Sequence, residues 1–130
     1  MSTQTQPVAI NIDDKLSQFD KTWTPHIIAQ LNGQHVKLAK LEGELTWHDH
    51  ANEDELFLVL TGRLRMQMHD DTGTLSEQLI EPGEIIVIPR GLQHNPIADP
   101  GTSVLLFEPI ATKHTGDKML ERTVTDQQWI

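Results

Sequence analysis

Turn signals recur at short intervals along the chain, and they constrain the fold more than any other feature of the sequence. They are Asn32-Gly33, Glu42-Gly43, Thr61-Gly62, Asp70 to Gly73, Glu81-Pro82-Gly83, Pro89-Arg90-Gly91 and Asp99-Pro100-Gly101. The segments between them are short enough for strands, and most are rich in Leu, Ile, Val and Phe. Strands that recur roughly every 8 to 12 residues between turns are typical of antiparallel sandwiches and barrels. The sequence therefore predicts an all-β fold.

A short helix is predicted before the first strand. Residues 11–19, NIDDKLSQF, have acids near the start and apolar residues at three- and four-residue spacing, with Asn11 or Asp13 as possible caps. Pro25 favours extended structure at the residue before it. The predicted strands are His26 to Leu31, His35 to Leu41, Glu44 to His50, Glu55 to Leu60, Arg63 to His69, Thr74 to Ile80, Ile85 to Ile88 and Ser103 to Glu108.

The length of 130 residues favours a single domain. We expect residues 1–10 to form a flexible N-terminus and residues 11–130 to form the domain. The terminal pair Trp129-Ile130 is apolar and should pack on its own domain or on a partner subunit. No apolar run approaches the roughly 18 residues of a membrane span, and the N-terminus does not resemble a signal peptide. A cytoplasmic protein is therefore expected.

Composition removes several classes of function. The net charge of -9, from 10 basic and 19 acidic residues, disfavours nucleic acid and anionic membranes as partners. The absence of cysteine excludes disulfides, thiolate metal sites and cysteine nucleophiles, which leaves nitrogen and oxygen atoms as metal ligands. Seven histidines are many for a chain of this length.

Two of these histidines lie in the stretch from Gly43 to Gly62, GELTWHDHANEDELFLVLTG. If Glu44 to His50 is a strand, His48 and His50 project to the same face and Trp47 projects to the other. Glu55 follows a four-residue connection. Two histidines and one acid are a common ligand set for divalent metals. Asp54 competes with Glu55 for this role, but Glu55 begins an apolar strand.

A second pattern lies between Gly83 and Ala98, GEIIVIPRGLQHNPIA. The segment Pro89-Arg90-Gly91 predicts a sharp turn after the strand Ile85 to Ile88, because proline ends a strand ladder and glycine supplies backbone conformations that other residues resist. This turn would direct His94 into the barrel. His94 is then a fourth candidate ligand.

The two stretches resemble the paired motifs of a small single-domain cupin. The first motif, residues 43–62, is matched by His48, His50, Glu55 and Gly62; the second motif, residues 83–98, is matched by Gly83, Pro89, Gly91 and His94. Gly43 stands one position closer to the histidines than in the family pattern, and Ala98 replaces its closing Asn. The resemblance implies a double-stranded β-helix, or jelly-roll, barrel. The six residues between Glu55 and Gly62 fit the family's spacing, which favours Glu55 over Asp54.

Outside the motifs, the Trp23-x-Pro25 segment is similar to a subgroup of bacterial cupins often labelled as resembling sugar-phosphate isomerases. That label is an analogy of fold, which does not identify a reaction. Small cupins commonly pair through their sheets, so the resemblance also implies a homodimer.

These observations lead to a hypothesis about function. His48, His50, Glu55 and His94 would bind one divalent metal ion, Fe, Mn, Ni, Co or Zn, and a small organic molecule would reach it from the open end of the barrel. An enzyme of this kind could catalyse dioxygenation or isomerisation. The alternative is a small-molecule binding module without turnover. The other histidines, His26, His35, His69 and His114, are interpreted as surface or interface residues.

Overall fold

Seven strands and one short helix make up the part of the chain that the structure describes, residues 6–112, 115 and 127–130 of a computed structural model. The elements are α1 Ile12–Leu16, β1 His26–Leu31, β2 Gln34–Glu44, β3 Glu55–Thr61, β4 Leu64–His69, β5 Leu75–Ile80, β6 Ile85–Ile88 and β7 His94–Pro109. Every strand pair is antiparallel. The predicted all-β fold with one short N-terminal helix is confirmed.

Strand β7 is at the centre of the sheet. The strand order is β1-β2-β7-β3-β6, and β4 pairs with both β5 and β7. The first part of β7 pairs with β4, from Met68 opposite His94 to Leu64 opposite Ala98. Its second part lies between β2 and β3. Because one strand joins these neighbours, it brings residues from both halves of the chain to the same interior.

The prediction that β7 would start at Ser103, after a turn at Asp99-Pro100-Gly101, was wrong. The strand begins at His94 and continues through these residues. The pairing with β2 shifts there, from Leu41 opposite Thr102 to Gly43 opposite Ala98, which accommodates the extra residues. The Thr102 hydroxyl donates to the Asp99 carbonyl at 2.7 Å and so ties this irregularity together. The turn residues form a bulge within the strand instead of ending it.

The predicted strand Glu44 to His50 was also wrong. β2 continues without a break to Glu44, and residues 45–50 form no regular strand. The exception is an isolated bridge in which the backbone N–H of His48 donates to the His94 carbonyl and that of His94 donates to the His48 carbonyl, each at 2.9 Å. Gly43 adopts a φ of 76°, and the regular ladder ends one residue later.

The two ends of the described chain pack against the outside of the barrel. Asn11 caps α1, since its side chain accepts a hydrogen bond from the Asp14 backbone N–H at 2.9 Å. The helix ends at Leu16, and Phe19 packs with Ile28. Ile130 joins the same cluster, so this end of the chain docks on its own barrel.

A larger apolar cluster fills the barrel interior. Its buried members are Trp23, Ala39, Leu41, Phe57, Val59, Leu64, Met66, Ile80, Ile88, Ala98, Val104 and Leu106. Every strand except β1 contributes to this cluster, and Trp23 from the segment after α1 covers it. Among the described residues, the structure contains no helix with the length and apolar character of a membrane span.

Candidate metal centre

Three buried histidines converge inside the barrel. His48 and His94 are 1% and 0% exposed, and His50 is 3% exposed. Each offers a ring nitrogen, and these three nitrogens lie within 4.8 Å of one another. The paired bridge between His48 and His94 sets the backbones of two of them. The third is anchored by the Gly91 backbone N–H, which donates to the His50 carbonyl at 2.8 Å.

Backbone carbonyls determine which nitrogen of the His48 ring and of the His94 ring can bind a metal. His48 Nδ1 lies 2.9 Å from the Thr46 carbonyl oxygen, and His94 Nδ1 lies 2.9 Å from that of Leu92. A carbonyl can only accept, so each Nδ1 must carry the proton and each Nε2 must carry the lone pair. Both Nε2 atoms are buried, and neither has a hydrogen-bond partner among the residues described.

Glu55 lies beside this cluster at the start of β3. Its Oε1 is 3.4 Å from His50 Nε2 and 3.7 Å from His94 Nε2. Glu55 is absent from the set of atoms that all lie within 4.8 Å of one another, which contains only the three histidines in the described part of the chain. It therefore contacts one side of the cluster. The competing candidate, Asp54, is exposed and accepts a hydrogen bond from the Arg90 backbone N–H at 2.9 Å. These positions favour Glu55 as the carboxylate ligand.

The electrostatics favour neutral imidazole and ionised carboxylate. Burial, with repulsion from His94, lowers the pKa of His48 to about 4, so the ring is neutral at pH 7. Burial opposes ionisation of Glu55, but its interactions with Glu108, His50 and His94 outweigh burial and lower the pKa of Glu55 well below its usual value. These are the protonation states in which both side chains bind metals.

The residues fit a divalent metal ion by their donor atoms. Burying an acceptor without a partner costs about 1–3 kcal/mol, and the cluster contains two such Nε2 atoms facing the same space. Imidazole nitrogen and carboxylate oxygen are ligands that first-row divalent metals accept. A bound ion would satisfy these atoms together, and an octahedral ion would keep two positions for other ligands.

A small cavity of about 20 Å³ adjoins the cluster. Within the described part of the chain, His48 and Glu55 are the only ionisable side chains that line it. The remaining lining residues are Trp23, Pro25, Ala39, Leu41, Leu45, Phe57, Pro96, Val104 and Leu106. Trp23 closes one wall, and its indole N–H donates to the Glu42 carbonyl at 2.9 Å. Sequence reasoning did not predict this wall, although the Trp23-x-Pro25 segment was the signal that marked it.

The other described histidines lie outside the cluster. The His26 ring stacks on Phe19 with centroids 4.1 Å apart, and the His69 ring stacks on Trp47 at 4.2 Å. His35 was interpreted as a surface or interface residue, but it is buried within its own chain, with Trp129 at the edge of its ring. Its position on β2 turns it toward the C-terminal segment instead of solvent. His114 lies outside the described residues.

Two further buried charged residues were missed by sequence reasoning. Lys37 on β2 and Glu108 on β7 are 1% and 0% exposed, and Lys37 Nζ lies 2.8 Å from Glu108 Oε1. Glu108 also lies opposite Glu55 on the paired strands β7 and β3, and the two carboxyl groups interact with each other. No sequence motif marks either residue, because their contact joins positions 71 residues apart.

Comparisons with known proteins agree with this architecture. A solved cupin-2 domain containing protein from Shewanella frigidimarina NCIMB 400 is 39% identical, with a TM-score of 0.71 over 77% of this chain and 93% of that one. Hydroquinone 1,2-dioxygenase from Sphingomonas sp. TTNP3 is 21% identical, with a TM-score of 0.67 over 82% of this chain and 37% of that one, which shows similarity of fold alone.

The similarity to curated relatives covers only part of each protein. Auxin-binding protein ABP19a of Prunus persica is 29% identical over 105 residues, which are 75% of this chain and 50% of that protein. The chain spans about half the length of the curated relatives it matches. The model of the cupin domain family matches residues 34–108, from the start of β2 almost to the end of β7. This match covers more than half of the chain and contains every candidate ligand, and the chain therefore belongs to the cupin family.

Proposed function

We propose that this cupin binds one divalent metal ion through His48, His50, Glu55 and His94. The observation that carries the proposal is the convergence of buried Nε2 atoms whose rings are already fixed at Nδ1 by backbone carbonyls. This arrangement orients the lone pairs before any ion binds, which is the usual role of the outer partners of metal-binding histidines. Fe, Mn, Co, Ni and Zn all fit this set of donors.

We further propose that the metal binds a small organic molecule with an apolar body and one or two polar atoms. The cavity beside His48 and Glu55 is otherwise apolar, so it would favour such a body, while the open metal positions would hold the polar atoms. Because no other ionisable side chain of the described residues lines the cavity, chemistry that the metal itself supplies is favoured over proton shuttling by the protein.

Among enzyme reactions, the composition of the cavity favours dioxygenation over isomerisation. A bound ion such as Fe(II) would supply redox chemistry with O2, and the protein would position the substrate and exclude water. The hydroquinone 1,2-dioxygenase neighbour is similar in fold alone and does not extend its reaction to this chain. The proposal rests on the composition of the cavity.

A binding module without turnover is the second candidate. The observation that favours it is the cavity volume of about 20 Å³, which is room for roughly one water molecule. A substrate would require Trp23 or its neighbours to move, whereas a metal with a small exchangeable ligand would not. Oxygen consumption and product formation with a panel of small phenols, measured on the metal-loaded protein, would distinguish an enzyme from a binder.

The first experiment is metal reconstitution. The purified protein and a His48→Ala/His50→Ala variant would be stripped, incubated separately with Fe(II), Mn(II), Ni(II), Co(II) and Zn(II), desalted and analysed for metal. We expect close to one ion per chain in the wild type and little in the variant. The proposal is wrong if both proteins retain equally little metal and the variant is folded by circular dichroism.

We also propose a homodimer. β5 and β6 each have a single partner within the described sheet, and both expose apolar side chains: Leu75 and Leu79 on β5, and Ile85 and Val87 on β6. Ile85 is 60% exposed and Val87 is 53% exposed. A second copy would cover these side chains. Sedimentation should give twice the chain mass of 14.7 kDa, and an Ile85→Lys/Val87→Lys variant should sediment as a monomer.

A further inference from the structure

Three buried charged side chains form a row that leads to the candidate metal centre. Lys37 on β2, Glu108 on β7 and Glu55 on β3 come from neighbouring strands. The register explains how they meet. Leu56 faces Phe107, so Glu55 and Glu108 are the next positions on the two strands, and Lys37 faces Leu106, two residues from Glu108. Residues two apart share a face, so all three side chains project to the interior.

The contacts connect Lys37 to Glu108, Glu108 to Glu55, and Glu55 to the histidine cluster. Lys37 Nζ donates to Glu108 Oε1 at 2.8 Å, with both side chains buried. The other oxygen, Glu108 Oε2, is buried and has no hydrogen-bond donor among the described residues. Glu55 and Glu108 occupy opposed positions next to the Leu56–Phe107 pair, and both are buried, so their carboxyl groups meet on the same face of the sheet. A single proton between the two carboxyl groups would join them by a hydrogen bond. Glu55 Oε1 then faces His50 and His94.

Such a pair is costly to keep in a barrel without a specific role. Buried ion pairs are often replaced by apolar residues without loss of stability, because desolvation offsets much of the attraction between the charges. Here the pair lies directly behind the only carboxylate that contacts the histidines of the described cluster. A metal-binding carboxylate needs a hydrogen-bond partner that fixes its orientation. The pair provides that partner.

We propose that Lys37 and Glu108 are positioning residues that hold the Glu55 carboxylate against the histidine cluster, with Glu108 acting as a hydrogen-bond bridge, and so set the affinity for the metal. This inference rests on the proposed metal site and adds to it the residues that support its carboxylate. Lys37 fixes the Glu108 side chain, and Glu108 fixes that of Glu55. Neither residue touches the metal.

Three variants test the bridge by its chemistry. Glu108→Gln keeps the shape and both functions of the bridge, because its amide oxygen can accept from Lys37 while its amide N–H donates to Glu55. Lys37→Met/Glu108→Met removes the bridge together with both charges of the ion pair, so neither Lys37 nor Glu108 leaves a buried counter-charge behind, and the variant should fold. Arg63→Gln/Glu81→Gln is the matched control, since it neutralises an ion pair at the surface.

Co(II) binding to the stripped proteins would be followed by visible absorption, with a chelator in competition for the affinity. We expect Lys37→Met/Glu108→Met to bind Co(II) about 10–100-fold more weakly, the range observed for outer partners of metal ligands, and to alter the absorption bands. Glu108→Gln and the control should stay within about threefold of the wild type, with its spectrum.

The outcomes separate the two proposals. A folded Lys37→Met/Glu108→Met variant with wild-type affinity and spectrum would overturn the positioning role. An equal loss of affinity in Glu108→Gln would overturn the hydrogen-bond bridge. A wild-type protein that binds no Co(II) or other ion would instead overturn the metal site itself.

Discussion

His48 and His94 are held by backbone carbonyls two residues earlier in the chain, whereas Glu55 is held by side chains from other strands. On the histidine side of the cluster, each ring contacts its own segment, and the backbone bridge joins the two segments. On the carboxylate side, Lys37 and Glu108 must first be brought together by β2 and β7. The first kind of support is local, while the second depends on the register of three strands.

The difference has consequences for how each side tolerates change. Backbone carbonyls cannot be removed by substitution, so the ring orientation on the histidine side should withstand most mutations nearby. The carboxylate side depends on two side chains that each need the other, because removing one leaves a buried partner without its counter-charge. The following predictions test this contrast, from the largest expected effect to the smallest.

Loss of a histidine ring should have the largest effect. In His94→Ala the cluster loses an Nε2 that no neighbour can replace, so we expect metal affinity to fall by more than about 100-fold, beyond the range for outer partners. Competition between the protein and a chelator for Zn(II) measures this affinity. Gln93→Ala, which changes an exposed neighbour, is the control and should bind as the wild type does. If His94→Ala binds the metal as tightly as the wild type, His94 is not a ligand.

Loss of one member of the buried pair should mainly affect stability. Lys37→Ala leaves Glu108 buried without its cation, and breaking a buried pair in this way costs about 3–5 kcal/mol in the free energy of unfolding. Urea denaturation of the metal-free protein measures the change. Lys37→Met/Glu108→Met should recover most of that loss. If Lys37→Ala is as stable as the wild type, the carboxylate side does not depend on the pair.

The histidine side should make the metal-free protein sensitive to acid. The pKa of His48 is about 4 in the folded state and 6.5 when unfolded, so the unfolded state gains a proton first as pH falls. Neutral His48 therefore contributes about 3 kcal/mol to the free energy of unfolding. This contribution is fully present above pH 6.5 and is lost between pH 6.5 and about 4.

Urea denaturation at several pH values across this window measures that loss. His48→Gln has no titrating ring, so its stability should fall less steeply with pH than that of the wild type. Equal slopes for the two proteins would show that His48 titrates normally in the folded state.

The smallest effect is expected at Asp54, the carboxylate next to Glu55. Its partner Arg90 is exposed, and surface pairs of this kind contribute little. Asp54→Asn should therefore leave metal affinity within about twofold of the wild type, in contrast to Glu55→Gln. Isothermal titration with Mn(II) measures both variants. Equal losses in the two would mean that the choice of Glu55 over Asp54 was wrong.

The same contrast explains what could be predicted from the sequence. The turn signals predicted the strands and the all-β fold. Strand parity for His48 and His50, together with the sharp turn before His94, predicted that the three histidines would meet. The route was partly wrong, because residues 45–50 form an irregular segment with a single bridge and not a strand. The position of His48 is set by its backbone bridge to His94 and not by strand parity.

Lys37 and Glu108 could not be predicted in this way. A lysine in an alternating strand is usually exposed, and only the register of β2 against β7 places its charge beside a glutamate that is far away in the sequence. The burial of His35 could not be predicted for the same reason, since it depends on the return of the C-terminal segment with Trp129. Contacts of this kind belong to the tertiary structure and have no local signal.

The bridge between His48 and His94 also bears on the order of events during folding. One partner precedes β3 to β6 in the chain and the other begins β7, so the three histidines cannot meet until β7 has paired. Contacts between distant residues form late because closing the intervening chain costs entropy before it is repaid. The nascent chain would therefore carry its histidines apart, and metal would enter a nearly finished barrel. Loading with metal would then report the completion of folding.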